Sequence, residues 1–138
     1  MANFKILKEK SSKQSVFTTS VIYIDGNQNK SITDFYKNIS EGLLFPDYFE
    51  DNLDSFDELM NDLTWLESEK IYLIFVNYDD FLTDENDEIR EIVLTILDDA
   101  SEDLKKQKTH KRLKIHIEPA EMIEEDLESI GIEYVFEE

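Results

Sequence analysis

Residues 45–63 read FPDYFEDNLDSFDELMNDL, and this stretch decides how the surrounding chain is organised. Pro46 fixes its own φ angle and suits a turn or the first position of a helix. From Phe49 onward, apolar residues recur within about 40° of one direction at roughly 100° per residue. These apolar residues are Phe49, Leu53, Phe56, Met60 and Leu63. The stretch therefore predicts a short amphipathic helix with one side to bury.

The opposite side of this predicted helix is purely acidic. It carries Asp51, Asp54, Glu58 and Asp62, and no Lys, Arg or His occurs in residues 38–69 to neutralise them. Most charged faces of this kind only keep a protein soluble. The alternative is a docking surface for a cationic partner, with carboxylates standing where a phosphate-binding site expects phosphates. The residues alone leave both interpretations open.

Length, charge and cysteine content restrict the class of protein. At 138 residues the chain suits a single domain, 1–138, with its own hydrophobic core. The formal net charge of −19 argues against binding to nucleic acid or an anionic membrane and favours a basic partner. Without cysteine there is no disulfide or thiol chemistry. No signal peptide or transmembrane segment is recognisable, so we expect a cytoplasmic protein that is monomeric when free.

Three continuous apolar runs predict the strands of an α/β fold. They are Val16–Asp25, Glu69–Tyr78 and Leu113–Ile117. Ser31 predicts the N-cap of a first helix, and Thr83 predicts the cap of a long helix with apolar residues at helical spacing. Phe4–Lys8 predicts either a short strand folded against the body or part of a mobile N-terminal arm, residues 1–19.

Residues 118–138 predict one more helix and one more strand. The helix opens at Glu118-Pro119, and Gly131 is placed to cap its C-terminus. Ile132–Phe136 then alternates like a strand. A strand–helix–strand unit adds a parallel strand through a right-handed crossover. We therefore expect an appended unit of the same domain rather than a second domain.

Other kinds of site find little support in the residues. His110 and His116, the only histidines, lack the spacing of a metal-binding pair. The acidic run Asp84–Glu88 resembles a calcium loop but lacks the required glycine, so we interpret it as a helix start. No serine nucleophile elbow or glycine-rich phosphate loop is present. We therefore expect no bound metal, no cofactor and no enzymatic activity.

The motif Phe45-Pro46-x-Tyr48-Phe49-x-x-Asn52-Leu53-Asp54-Ser55-x-x-Glu58 resembles the signature of the barstar family of ribonuclease inhibitors. The predicted order of elements is also similar to that family: strand, short helix, motif, strand, long helix, strand. The resemblance covers residues 20–117. It implies a barstar-like fold, a small, mainly parallel sheet packed with helices, extended here by the C-terminal helix–strand unit.

The resemblance also implies a function and a binding site. In that family an acidic helix and its preceding loop plug a ribonuclease active site, which implies an immunity protein against a basic ribonuclease or nuclease toxin. Glu58 matches the family's key helix aspartate, and Asp99 matches an acid late in the long helix. The expected partner-binding residues are Tyr48, Glu50, Asn52, Asp54, Asp57, Glu58, Asp62 and Asp99.

Two of these positions depart from the family pattern. Glu50 stands where the family has a glycine, and Asp57 stands where it usually has an aromatic residue. The departures concern the target more than the fold, so we expect a cognate toxin and do not assume that it is barnase. The competing hypothesis is an acidic interaction or adaptor module that binds a basic protein other than a nuclease.

Overall fold

A computed structural model describes residues 2–8, 19–107 and 110–137 of the chain. Its strands are β1 (Phe4–Ile6), β2 (Thr19–Asp25), β3 (Lys70–Val76), β4 (Arg112–Ile117) and β5 (Tyr134–Phe136). They form one five-stranded sheet in the order β2-β3-β4-β1-β5, and all neighbouring strands run parallel. The predicted α/β fold is confirmed, and the sheet is wholly rather than mainly parallel.

The described residues include four α-helices. They are α1 (Ile32–Gly42), α2 (Leu53–Met60), α3 (Asp87–Lys106) and α4 (Ile123–Ser129). As predicted, Ser31 caps α1, because its Oγ accepts a hydrogen bond from the Asp34 backbone N–H at 3.1 Å. Among the described residues, no helix is both long and apolar enough to cross a bilayer.

The helices pack on one face of the sheet. The chain moves in the same direction across the sheet from β2 to β3, from β3 to β4 and from β4 to β5. Parallel crossovers are nearly always right-handed, which puts the connecting helices on a common face. Burial agrees with this, because Ile71, Leu73 and Phe75 of β3 are fully buried in the core, whereas Tyr72 and Val76 lie outside it.

Strand β1 is an interior strand of the sheet. Phe4 pairs with Ile115 of β4 on one side and with Tyr134 of β5 on the other, and its side chain is fully buried. Of the two alternatives for the N-terminus, a strand folded against the body is therefore correct for Phe4–Ile6. Residue 1 and residues 9–18 of the predicted arm, which include the expected strand residues 16–18, fall outside the described residues.

The long helix begins later than the sequence predicts. Asn86, and not Thr83, is the N-cap of α3. The Thr83 hydroxyl instead donates a hydrogen bond to the Asp80 carbonyl oxygen at 3.0 Å, in the turn that precedes the helix. The Glu85 carboxylate accepts a hydrogen bond from the Ile32 backbone N–H at 3.0 Å, so part of the acidic run caps α1 rather than extending α3.

The C-terminal unit has the expected helix and strand, but α4 starts after Met122 and not at Glu118-Pro119. The Asp79 carboxylate accepts hydrogen bonds from the backbone N–H groups of Glu121 and Met122, at 3.0 and 2.9 Å. These bonds hold the segment before α4 in a turn. Gly131 follows the helix with a φ angle of 72°, the conformation expected of a C-terminal glycine.

A buried polar network ties α4 to the rest of the molecule. The Asp126 carboxylate accepts hydrogen bonds from the Tyr78 hydroxyl at 2.6 Å and from Arg90 Nε at 2.9 Å. Arg90 is only 3% exposed. Burial and the hydrogen bond to Asp126 raise the pKa of the Tyr78 hydroxyl above its ordinary value. Because these groups would be costly to separate, we propose that residues 1–138 form one domain.

Candidate functional site

Helix α2 is shorter than predicted and follows a structured loop. It starts directly after Asn52, whose side-chain oxygen accepts a hydrogen bond from the Ser55 backbone N–H at 2.7 Å. Asp51 and Leu63 have φ angles of 53° and 52°, so the predicted helical span 49–63 was wrong at both ends. The apolar side is correct, since all five of its residues are buried or half-buried.

Packed aromatic rings hold α2 and the loop that precedes it against α1. Phe45 lies against Phe49, with ring centroids 5.0 Å apart, in an edge-to-face arrangement. Phe49 in turn packs edge-to-face on Tyr36 of α1 at 5.6 Å. Phe56, fully buried on α2, contacts Phe35 of α1 at 5.4 Å. This packing fixes the position of α2 and its preceding loop relative to α1.

Trp65 adds a second anchor for the loop before α2. The ring is half-buried and lies edge-to-face against Phe45 at 5.9 Å. Its Nε1–H donates a hydrogen bond to the Leu43 carbonyl oxygen at 2.9 Å. The indole therefore joins the segment after α2 to the segment before the loop, and its role is to position the motif.

Ser55 is a further positioning residue that the sequence reasoning missed. Its hydroxyl oxygen accepts a hydrogen bond from the Glu50 backbone N–H at 3.1 Å, while its own N–H is bound by the Asn52 side chain. The two bonds close the loop onto the first turn of α2. A serine three residues after an Asn is the available sequence signal, because a cap side chain binds the N–H at that position.

Five of the eight predicted binding residues meet around one shallow depression of about 250 Å³. They are Tyr48, Glu50, Asn52, Asp54 and Glu58. Ser55 and Leu59 complete the lining. The Tyr48 side chain is 66% exposed, so its ring is available to a partner. We call this feature the acidic depression, since three of its lining residues are carboxylates.

The remaining predicted residues lie beside the acidic depression and do not line it. Asp57 is exposed on α2, and its carboxylate accepts a hydrogen bond from Asn61 Nδ2 at 2.8 Å. Asp62 is half-buried after the helix end. Asp99 is exposed on α3. Partial desolvation of its carboxyl, together with the charges of Asp98, Asp103 and Asp57, raises the pKa of that carboxyl. The influence of Asp57 places Asp99 within electrostatic reach of α2.

The acids of α2 have no cationic counterpart in residues 2–8, 19–107 and 110–137. The ion pairs in these ranges join Arg90 to Asp87 and Asp126, and Lys105 to Glu102. In the same part of the chain, no three His, Cys, Asp or Glu side chains are grouped so as to hold a metal ion. Within the part of the chain that the structure describes, the acidic depression is therefore an anionic surface without an ion-paired cation, with chemistry suited to cationic groups of a partner.

A comparison with protein-family models supports the resemblance between residues 45–58 and the barstar signature. Comparison with curated protein sequences gives no match. Residues 19–117 match the family described as Barstar (barnase inhibitor), and this range includes the acidic depression, α1, α2, α3 and the strands β2, β3 and β4. The match covers well over half of the chain, and its range agrees with the resemblance found in the sequence. The chain belongs to the barstar family.

Proposed function

We propose that the chain is a protein inhibitor that binds a basic ribonuclease through the acidic depression and blocks its active site. The observation that supports this proposal is that Tyr48, Glu50, Asp54 and Glu58 meet around one depression, with no ion pair to a cation among the described residues. The family description as a barnase inhibitor supports the same class of partner.

The carboxylates of this chain can bind the same cationic groups that a ribonuclease uses to bind phosphates. A ribonuclease holds phosphates with Arg, Lys and His side chains, and a carboxylate accepts the same charge-assisted hydrogen bonds. Asp54 and Glu58 lie one helical turn apart on α2, so both project from the same side of a short rigid helix. Because the aromatic packing and the Asn52 cap already fix this helix, little conformational entropy is lost on binding.

The two departures from the family pattern define the target more closely. Glu50 lines the acidic depression, and Asp57 is exposed on the same helix. A nuclease that accepts these acids needs additional cationic groups opposite them, because an unpaired carboxylate buried in an interface costs several kcal/mol, roughly 3–5. We therefore propose a cognate nuclease toxin that differs from barnase at the rim of its active site, with this chain as its cytoplasmic immunity protein.

The proposal is tested by capturing the partner and assaying its activity. Tagged wild-type protein and Glu58→Lys are incubated with lysate of the source organism at near-physiological salt, and bound proteins are assayed for RNA cleavage. We expect wild type alone to retain a small basic nuclease and to suppress its activity at a 1:1 ratio. Equal retention of the same basic proteins by both variants would contradict the proposal.

One observation favours the competing adaptor hypothesis. Glu121, Glu124, Glu125 and Glu128 line a second, open acidic surface of about 580 Å³ on and before α4. An adaptor that binds by diffuse attraction would use both surfaces. It predicts small and similar losses of affinity for Asp54→Ala and Glu125→Ala, whereas an inhibitor concentrates its binding energy in a few central residues.

A further inference from the structure

The second face of the sheet carries a group of polar and cationic side chains. Lys5 of β1 pairs in register with His116 of β4, and Tyr72 of β3 pairs with Lys114 of β4. These residues alternate with the buried core residues of the same strands, so they point away from the helices. Ile74 of β3 lies on the same face and is buried, so this face has an apolar position beside the cationic ones.

A pocket of about 420 Å³ lies on this face. Its lining includes Lys5, Tyr72, Lys114, His116 and Val135, from four neighbouring strands. This volume lies within the range of small-molecule sites, about 300–1,000 Å³. The three basic side chains are half-buried. Within the described ranges, the side chains of Lys5, Lys114 and His116 make no hydrogen bond or ion pair, and the His116 ring contacts the Tyr72 ring edge-to-face at 5.3 Å.

The ammonium groups of Lys5 and Lys114 in this pocket repel each other. Burial lowers the pKa of the Lys114 ammonium, and the nearby charges of Lys105, Lys5, Arg112 and Lys70 lower it further. Burial, with Lys5 and Lys114, likewise lowers the pKa of His116, while the Glu137 carboxylate acts in the opposite direction. In a chain with a net charge of −19, this is a local excess of positive charge. A bound anion would relieve the repulsion.

We propose that this pocket binds a small phosphorylated ligand. Lys5 and Lys114 would donate charge-assisted hydrogen bonds to the phosphate oxygens. The Tyr72 ring and the Val135 side chain provide an apolar wall for an organic group attached to the phosphate. The pocket would recognise the phosphate group, which can be a free phosphate ion or part of a nucleotide.

This site is independent of the acidic depression. The depression lies on α2, which packs on the face of the sheet that carries Phe75, and the cationic pocket lies on the other face. Ligand binding at the pocket therefore requires no contribution from Glu58. A Glu58→Ala variant is expected to bind the phosphorylated ligand as wild type does.

The test is calorimetric titration of the full chain with AMP and, separately, with inorganic phosphate at low ionic strength. The variants are Lys5→Met and Lys114→Met, each with far-UV circular dichroism to verify folding. The control is Lys37→Met, which removes an exposed cation from α1 and leaves the pocket intact. We expect each pocket variant to weaken binding by about tenfold or more and the control to change it less than about twofold.

The outcomes separate the sources of the phosphate and decide the proposal. Tighter binding of AMP than of inorganic phosphate supports a nucleotide-like ligand, and equal binding supports free phosphate. Absence of binding for both probes at millimolar concentration overturns the proposal. So does binding that survives in Lys5→Met, and this variant decides the matter if Lys114→Met does not fold. Weakening with added salt is expected in either supporting case.

Discussion

The buried network around Asp126 gives the sharpest prediction about stability. In Asp126→Asn, the Arg90 guanidinium loses its carboxylate partner while its side chain is only 4% exposed. Its other ion pair, to Asp87 at 3.6 Å, joins a carboxylate that is 84% exposed and compensates little. Removing one partner of a buried ion pair costs about 3–5 kcal/mol. Because the Asp126 side chain is 13% exposed, we expect the lower limit, about 3 kcal/mol.

The assay is urea unfolding followed by far-UV circular dichroism and by the fluorescence of Trp65, the only tryptophan. At a slope of about 2 kcal/mol per molar urea, a loss of about 3 kcal/mol lowers the midpoint by about 1.5 M. Both signals should shift together, because a single cooperative domain unfolds as one unit. Trp65 lies beside the motif and outside the C-terminal unit, so its response tests whether α4 stabilises the whole domain.

The matched control is Glu125→Gln, which removes the same charge from an exposed position of α4. It should change the midpoint by less than about 0.3 M. Replacing the whole network, as Tyr78→Phe, Arg90→Met and Asp126→Leu together, should restore most of the stability, because no buried charge is then left unpaired. An Asp126→Asn midpoint within about 0.5 M of wild type, or a Trp65 transition that does not move, would refute the reasoning.

Three further changes have expected outcomes. Asn52→Ala removes the cap of α2 and should cost about 1 kcal/mol in urea unfolding. Asp99→Asn should raise the melting temperature at pH 7, since burial and the neighbouring acids disfavour the charged form and raise the carboxyl pKa in the folded state; this advantage should fade as the pH falls through that raised pKa and vanish below the ordinary 3.8. Gly26→Ala places a Cβ against the Asn77 carbonyl oxygen and should destabilise by about 1–3 kcal/mol.

Each of these three has an outcome that would contradict it. An Asn52→Ala variant as stable as wild type would mean that the loop is held by the aromatic packing alone. A stabilisation by Asp99→Asn that persists at pH 3 would show that charge is not its cause. A Gly26→Ala variant that melts at the wild-type temperature would show that the backbone near Asn77 moves aside at little cost.

Local sequence patterns predicted the strands and helices well where capping residues and apolar periodicity indicated the same boundary. Ser31 followed by an apolar period defined the start of α1, and continuous apolar runs defined β3 and β4. The starts of α2 and α3 were wrong for a shared reason. In both cases an asparagine, Asn52 or Asn86, caps the helix after an acidic loop whose residues also fit a helical period.

The interior place of β1 could not be predicted from the sequence. Phe4–Ile6 is only three residues long, and nothing in a three-residue run specifies which strands it joins. Its position follows from pairing with both β4 and β5, which are distant in the chain. The expected strand–helix–strand unit at the C-terminus is therefore present, but β1 separates its two strands in the sheet.

The sequence predicted which side chains line the candidate site but not the contacts that hold them in place. The motif identified Tyr48, Glu50, Asn52, Asp54 and Glu58, which the fold brings together around one depression. It did not identify Ser55 and Trp65, because their roles depend on contacts with the loop that exist only in the folded chain.

The measurement that tests the central claim most directly is the affinity of the captured nuclease for Glu58→Ala and for Glu124→Ala. Both variants remove an exposed glutamate from a helix, but only Glu58 lines the acidic depression. We expect Glu58→Ala to weaken binding by about 2 kcal/mol or more, roughly 30-fold, and Glu124→Ala to weaken it less than about threefold. Equal losses for the two variants would contradict an inhibitor that acts through the acidic depression.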